Sequence, residues 1–120
     1  MENLGGYIED AEENNRRYLS PEAWFDIELA RAFDFLSRFV DQAEFEIIRN
    51  NVRKFPNYLF KNPYLILMGF IAFKERDVRS VTRNSVLSPV IASNNIRVYD
   101  IIRYTRFFDA NFKRSDFGYR

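Results

Sequence analysis

The chain has 120 residues, 47% of them hydrophobic and 18% aromatic, and it contains neither cysteine nor histidine. That length suits one domain with its own core, while the two missing residue types exclude disulfides, thiolate nucleophiles, imidazole bases and nearly all zinc or iron sites. The net charge of +1 conceals a division: residues 1–46 hold 12 of the 17 carboxylates and 4 basic side chains, a net of −8, and residues 47–120 carry a net of +9.

Residues 1–19 read as a flexible acidic arm, with Gly5-Gly6 early on and Tyr7, Ile8, Tyr18 and Leu19 as anchor points for a partner. No basic n-region or apolar h-region marks a secretory signal there. Ser20 then caps a helix, with Pro21 at its first position and Glu22 in its first turn. Helical spacing puts Phe25, Leu29, Ala32, Phe33, Leu36, Phe39 and Val40 on one face, so this helix is expected to reach Val40. Trp24 and Phe35 fall at the edge of that stripe beside Glu28, in a position suited to contact.

Asp41 and Glu44 have the spacing of a capping box and open a second helix with the stripe Phe45, Ile48, Val52 and Phe55, closed by Pro56. After a connector over 57–61, Asn62-Pro63 restarts helix, which runs to about Arg76. Its apolar run Tyr64–Phe73 is ten residues long, against about 20 for a membrane span. Being apolar all round, it must be covered either by its own bundle or by another chain. Val78–Asn95 reads as short helices with loops, and Asn95 as the cap of a last helix over 96–112. One face of that helix is Val98, Ile101, Ile102, Thr105, Phe108 and Phe112; the other carries Tyr99, Arg103, Arg106 and Phe107. Residues 113–120 form a basic-aromatic tail containing Phe117 and Tyr119.

The expected fold is therefore all-α: a single domain over 20–112, a small bundle of about four main helices plus one or two short ones, between the arm and the tail. The P-loop, dinucleotide, nucleophile-elbow and zincin motifs are all missing. Asp26, Glu28 and Asp34 sit on a polar helix side, as solvated charges do. Glu9, Asp10, Glu12 and Glu13 lie in the arm and do not make a magnesium site. No catalytic residue, metal or cofactor is assigned, and an enzyme is not expected.

Three features point to contact surfaces. Arginine outnumbers lysine 14 to 4, and its planar fork suits ion pairs and ring stacking. A core of this size is expected to hold about half of the 13 Phe, 7 Tyr and 1 Trp, leaving the remainder for surfaces, where rings mark interfaces. The opposite charge of the two halves suits subunits that dock on one another. The expected function is a non-enzymatic structural or assembly subunit working through other protein subunits, self or hetero. Rich in Asn, Phe, Tyr and Ile without Cys or His, the composition resembles that of small virion components of large DNA viruses or phages, which implies a minor capsid or cement-type protein. The alternative is a nucleic-acid-binding accessory protein using the arginine–aromatic face of the last helix and the tail. The expected location is intracellular or virion-associated. The expected contact residues are Trp24, Phe35, Tyr99, Arg103, Arg106, Phe107, Phe117 and Tyr119.

Overall fold

In the computed structural model, which describes residues 19–56 and 61–119, all regular structure among the described residues is helical. Four main helices, α1 (Pro21–Phe35), α2 (Gln42–Asn50), α3 (Pro63–Glu75) and α6 (Val98–Asn111), are joined by two short ones, α4 (Arg79–Thr82) and α5 (Ser88–Ser93). Two 3-10 turns, Val52–Lys54 and Arg114–Phe117, complete the small bundle expected from the sequence. No helix among the described residues is long and apolar enough to cross a membrane. Residues 1–18 of the arm lie outside the described residues.

Local chemistry sets most helix starts. The Ser20 hydroxyl accepts from the Ala23 amide at 3.1 Å. Asp41 and Glu44 form the full capping box: the Glu44 amide donates to Asp41 Oδ1 at 2.8 Å, and the Asp41 amide donates to Glu44 Oε1 at 2.9 Å. The Asn62 side chain accepts from the Tyr64 amide at 2.8 Å, with Pro63 at the first helical position.

Three boundaries differ from expectation. Helix α2 stops at Asn50 instead of continuing to Pro56: the Asn51 amide bonds the Ile48 carbonyl at 3.1 Å and the chain tightens into the 3-10 turn Val52–Lys54, which still buries Val52 and Phe55. Helix α1 stops at Phe35 instead of reaching Val40, because the Leu36 amide turns to both Ala32 and Phe33 carbonyls and the chain tightens through 36–39. The turn still delivers Leu36 and Val40 to the core. Asn95 ends α5 instead of capping α6. It adopts φ 53°, its amide bonds the Ala92 carbonyl at 3.2 Å, and the Ile96 amide bonds the Ile91 carbonyl at 3.0 Å. This is a Schellman motif, with Ile91 and Ile96 packed on the core as its hydrophobic contact. Helix α6 therefore begins at Val98.

Helix α3 is the axis of the fold. Every residue from Ile66 to Phe73 is buried, so the described chain itself covers this stretch. Helix α6 lies against it with the same polarity: Gly69 meets Tyr104 and Thr105, and Phe73 stacks on Phe108 at 5.6 Å. A Cβ built on Gly69 would lie 2.5 Å from Tyr104 Cβ, so glycine is what allows the two backbones to approach. Helix α1 packs on α3 through Phe25, Leu29 and Ala32, and is tied to α2 by Phe33 stacked on Phe45 at 4.3 Å. Arg49 adds a two-pronged bond to Asp26, 2.9 Å at each oxygen.

The rings go inward. Phe55, Phe70, Phe73, Phe108, Phe112 and Phe117 form one connected cluster, with Phe70 and Phe117 4.8 Å apart. Among the described phenylalanines Phe35 alone is exposed. Among the described rings eight are buried, Phe35 and Tyr99 are exposed, and the others are partly buried, most of them packed against the core. Residues 113–119 also pack on the bundle, because Arg114 donates to the carbonyls of Phe73, at 3.3 Å, and Lys74 at the end of α3.

Candidate contact surface

On α1, Trp24, Glu28, Arg31 and Phe35 recur at steps of four, three and four, which places them along one line of the helix. The line is held together locally. Trp24 Nε1 donates to Glu28 Oε1 at 3.1 Å, and the Arg31 guanidinium lies 5.9 Å from the Trp24 ring centre. Phe35 is 64% exposed, with its ring edge-on to Tyr64 at 6.1 Å.

Beside this line a recess of about 440 Å³ is lined by Glu28, Arg31, Lys61, Asn62, Tyr64 and Asn94. A second recess of about 270 Å³ shares Lys61, Asn62 and Asn94 and adds Asp100, Arg103 and Tyr104. The start of α3 thus lies between α1 and α6, and the common wall joins the two surfaces. Asn62 donates from Nδ2 to Asn94 Oδ1 at 3.4 Å across that wall.

Lys61 is the residue that sequence reasoning missed. It is 7% exposed, and its ammonium donates to the carbonyls of Val52 at 2.8 Å and Phe55 at 3.0 Å, 5.2 Å from the Phe55 ring. Burial lowers its pKa to about 8. A lysine in a polar connector carries no sequence signal for this placement; its partners are set by how the turn over 52–55 folds back. Its role on these contacts is structural: it closes carbonyls that the 3-10 turn leaves open.

On α6, Tyr99 is 63% exposed and the Arg103 guanidinium lies 6.0 Å from its ring centre. Arg97 and Arg103 both reach Asp100, at 3.1 and 3.5 Å, so two guanidiniums share one carboxylate. Arg106 is exposed and has no ion pair among the described residues. Tyr99, Arg103 and Arg106 occupy one strip, as their spacing requires.

The eight residues expected at contacts thus separate. Trp24 and Phe35 share α1, while Tyr99, Arg103 and Arg106 share α6. Phe107 is half-buried against Phe55 at 4.6 Å. Tyr119 is half-buried, with the Arg114 guanidinium 5.0 Å from its ring centre. Phe117 is 8% exposed and belongs to the core, which removes it from the surface. Comparison with protein-family models, curated proteins and solved structures gives no match. The functional reading therefore rests on the surface chemistry of this chain.

The recesses are shallow and mixed in charge. Among the described residues no group of three or more carboxylates converges as a metal site would require. Tyr104, whose pKa burial raises, donates its hydroxyl to the Pro56 carbonyl at 3.2 Å, a bond that ties α6 to the end of the 3-10 turn.

Proposed function

We propose that this protein is a non-enzymatic assembly subunit that acts through protein–protein contacts at the surface running from Phe35 on α1 to Arg106 on α6. The observation that carries the reading is selective exposure. The other described phenylalanines turn inward, yet Phe35 and Tyr99 stand open, each beside an arginine-bearing helix line. Exposed rings flanked by arginine and a polar rim are the composition of protein interfaces. A role as minor capsid or cement-type subunit rests on composition alone.

Nucleic-acid binding is the weaker reading. Arg97 and Arg103 are engaged with Asp100, and the neighbouring α1 surface carries Glu28 and Asp34, which repel phosphate. The test is mild cross-linking of the protein in its native source, with wild type compared to Phe35→Ser/Tyr99→Ser. Attachment to protein subunits that falls at least several-fold in the double variant is the expected result. Attachment to nucleic acid alone, lost in Arg103→Ala/Arg106→Ala, overturns the reading.

A further inference from the structure

We infer that α1 pairs with α1 of a second copy of this chain, antiparallel along the line Trp24, Glu28, Arg31 and Phe35, to make a two-fold dimer. The inference rests on the proposed assembly function and names its partner. Steps of four, three and four are the spacing of a coiled-coil seam, and the 15-residue α1 carries one such stretch outside the core. Its buried residues Phe25, Leu29 and Ala32 lie on the neighbouring line, which packs on α3.

The order of the four residues identifies the occupant. About the midpoint between Leu29 and Ala30, reversal exchanges Trp24 with Phe35 and Glu28 with Arg31. Two antiparallel copies in that register stack four layers over about 16 Å of helix: ring on ring, carboxylate on guanidinium, guanidinium on carboxylate, ring on ring. The line is therefore complementary to itself, as an isologous two-fold contact requires. A parallel pair would set Glu28 on Glu28 and Arg31 on Arg31, so the charges also fix the direction. The other helices do not share this property. Reversed on itself in the same way, the α6 strip sets Arg103 against Arg106 and repels. On α2, Glu46 and Arg49 repeat the spacing of Glu28 and Arg31, but no ring continues their line and Asp26 holds Arg49.

The side chains are already laid along the seam. Trp24 donates to Glu28 Oε1 at 3.1 Å and the Arg31 guanidinium lies 5.9 Å from the Trp24 ring centre, so one ring and both charges are held in order. Such preorganisation lowers the ordering cost of association. Phe35 is the open end of the line, and Tyr64, edge-on to it at 6.1 Å, widens the layer that the partner's Trp24 meets. The recess of about 440 Å³ beside Glu28 and Arg31 leaves room on that flank for side chains of the incoming helix. A seam of four layers is short, so the dimer forms at high protein concentration.

The experiment uses two full-length charge variants, Glu28→Arg and Arg31→Glu, with circular dichroism and thermal melts verifying that each folds. In sedimentation equilibrium at high concentration the wild type is expected to follow a monomer–dimer equilibrium with no larger species, since a two-fold contact closes on itself. Each variant alone sets like charges in both central layers, and its dissociation constant should rise by about tenfold or more. Mixed in equal amounts, the two variants restore both ion pairs between unlike copies, so the mixture should dimerise within about threefold of wild type. Phe35→Ser leaves the charges in place and should weaken the dimer by about tenfold. Single variants that dimerise like wild type overturn the inference, as does a mixture that stays monomeric while wild type associates. An open-ended series of wild-type oligomers overturns it equally. A strictly monomeric wild type removes the second copy as partner. Native cross-links to a different protein that fall in Phe35→Ser/Tyr99→Ser would then leave the assembly reading standing.

Discussion

Replacing Gly69 with alanine sets two effects of opposite sign against each other. In a helix interior alanine is favoured over glycine by about 1 kcal/mol, so propensity alone predicts that Gly69→Ala stabilises the protein. The packing predicts the reverse. The new methyl would sit 2.5 Å from Tyr104 Cβ, 3.2 Å from the Tyr104 carbonyl carbon and 3.4 Å from the Thr105 nitrogen. These are backbone and Cβ atoms, which cannot swing aside as a side-chain tip can. Restoring ordinary carbon–carbon contact requires α6 to move about 1 Å from α3. That shift loosens Phe108 against Phe70 and Phe73, both now 5.6 Å away. Overpacking of this kind costs about 1–3 kcal/mol, and the loosened ring contacts place this case at the upper end. The net expectation is a loss of about 2 kcal/mol, or roughly 5–10 °C in Tm for a domain of this size. Thermal and urea melts followed by circular dichroism at 222 nm give the number. Ala30→Gly, on the exposed side of α1, should lose about 1 kcal/mol and so calibrates the propensity term. A Gly69→Ala protein as stable as wild type, or more stable, would refute the close-packing argument.

Arg76 ends α3 at φ 57°, a left-handed conformation that costs a side-chain-bearing residue about 1 kcal/mol. Arg76→Gly should therefore raise the urea midpoint by the equivalent of about 0.5–1 kcal/mol, and a lower midpoint would count against this assignment. Lys61 has a folded pKa of about 8, below the unfolded value of about 10.4. Between those values the unfolded chain binds the proton that the folded chain has released, so stability rises with pH across the window. From pH 7.5 to 9.5, below the range where Tyr104 titrates, wild type should gain about 2 kcal/mol relative to Lys61→Met; parallel pH profiles would show that burial of Lys61 is not the cause. Finally, Phe117→Ala should cost about 3–5 kcal/mol, as a truncated core ring does, while Phe35→Ala should change stability by less than about 0.5 kcal/mol. Equal losses in the two variants would contradict the division between core ring and contact ring.

The parts of the fold legible in the sequence are those whose partners lie within a few residues. Ser20, the pair Asp41 and Glu44, and Asn62 all cap as read, because a cap bonds amides two or three positions ahead. Asn95 could not be resolved that way. The same residue suits the start of one helix and the left-handed end of another, and the choice was made by Ile91 and Ile96 packing on the core. The contact surface divides similarly. Trp24, Phe35, Tyr99, Arg103 and Arg106 were visible as rings and guanidiniums on the outer sides of amphipathic helices. Phe117 looked exposed in a polar tail until Arg114, reaching 40 residues back to the end of α3, brought it inward.

By itself, then, the sequence determined the helical class, the caps, the number of main helices and the opposed charge of its two halves, since periodicity and composition are properties of the chain alone. Tertiary packing decided what those features meet. It gathered Phe70, Phe73, Phe108 and Phe117 in a core around α3, engaged Arg49, Lys61, Lys74 and Arg114 within the bundle, and left Phe35, Tyr99 and Arg106 open. The physical reason is that burial and ion pairing depend on neighbours distant in sequence, whose identity no local pattern encodes.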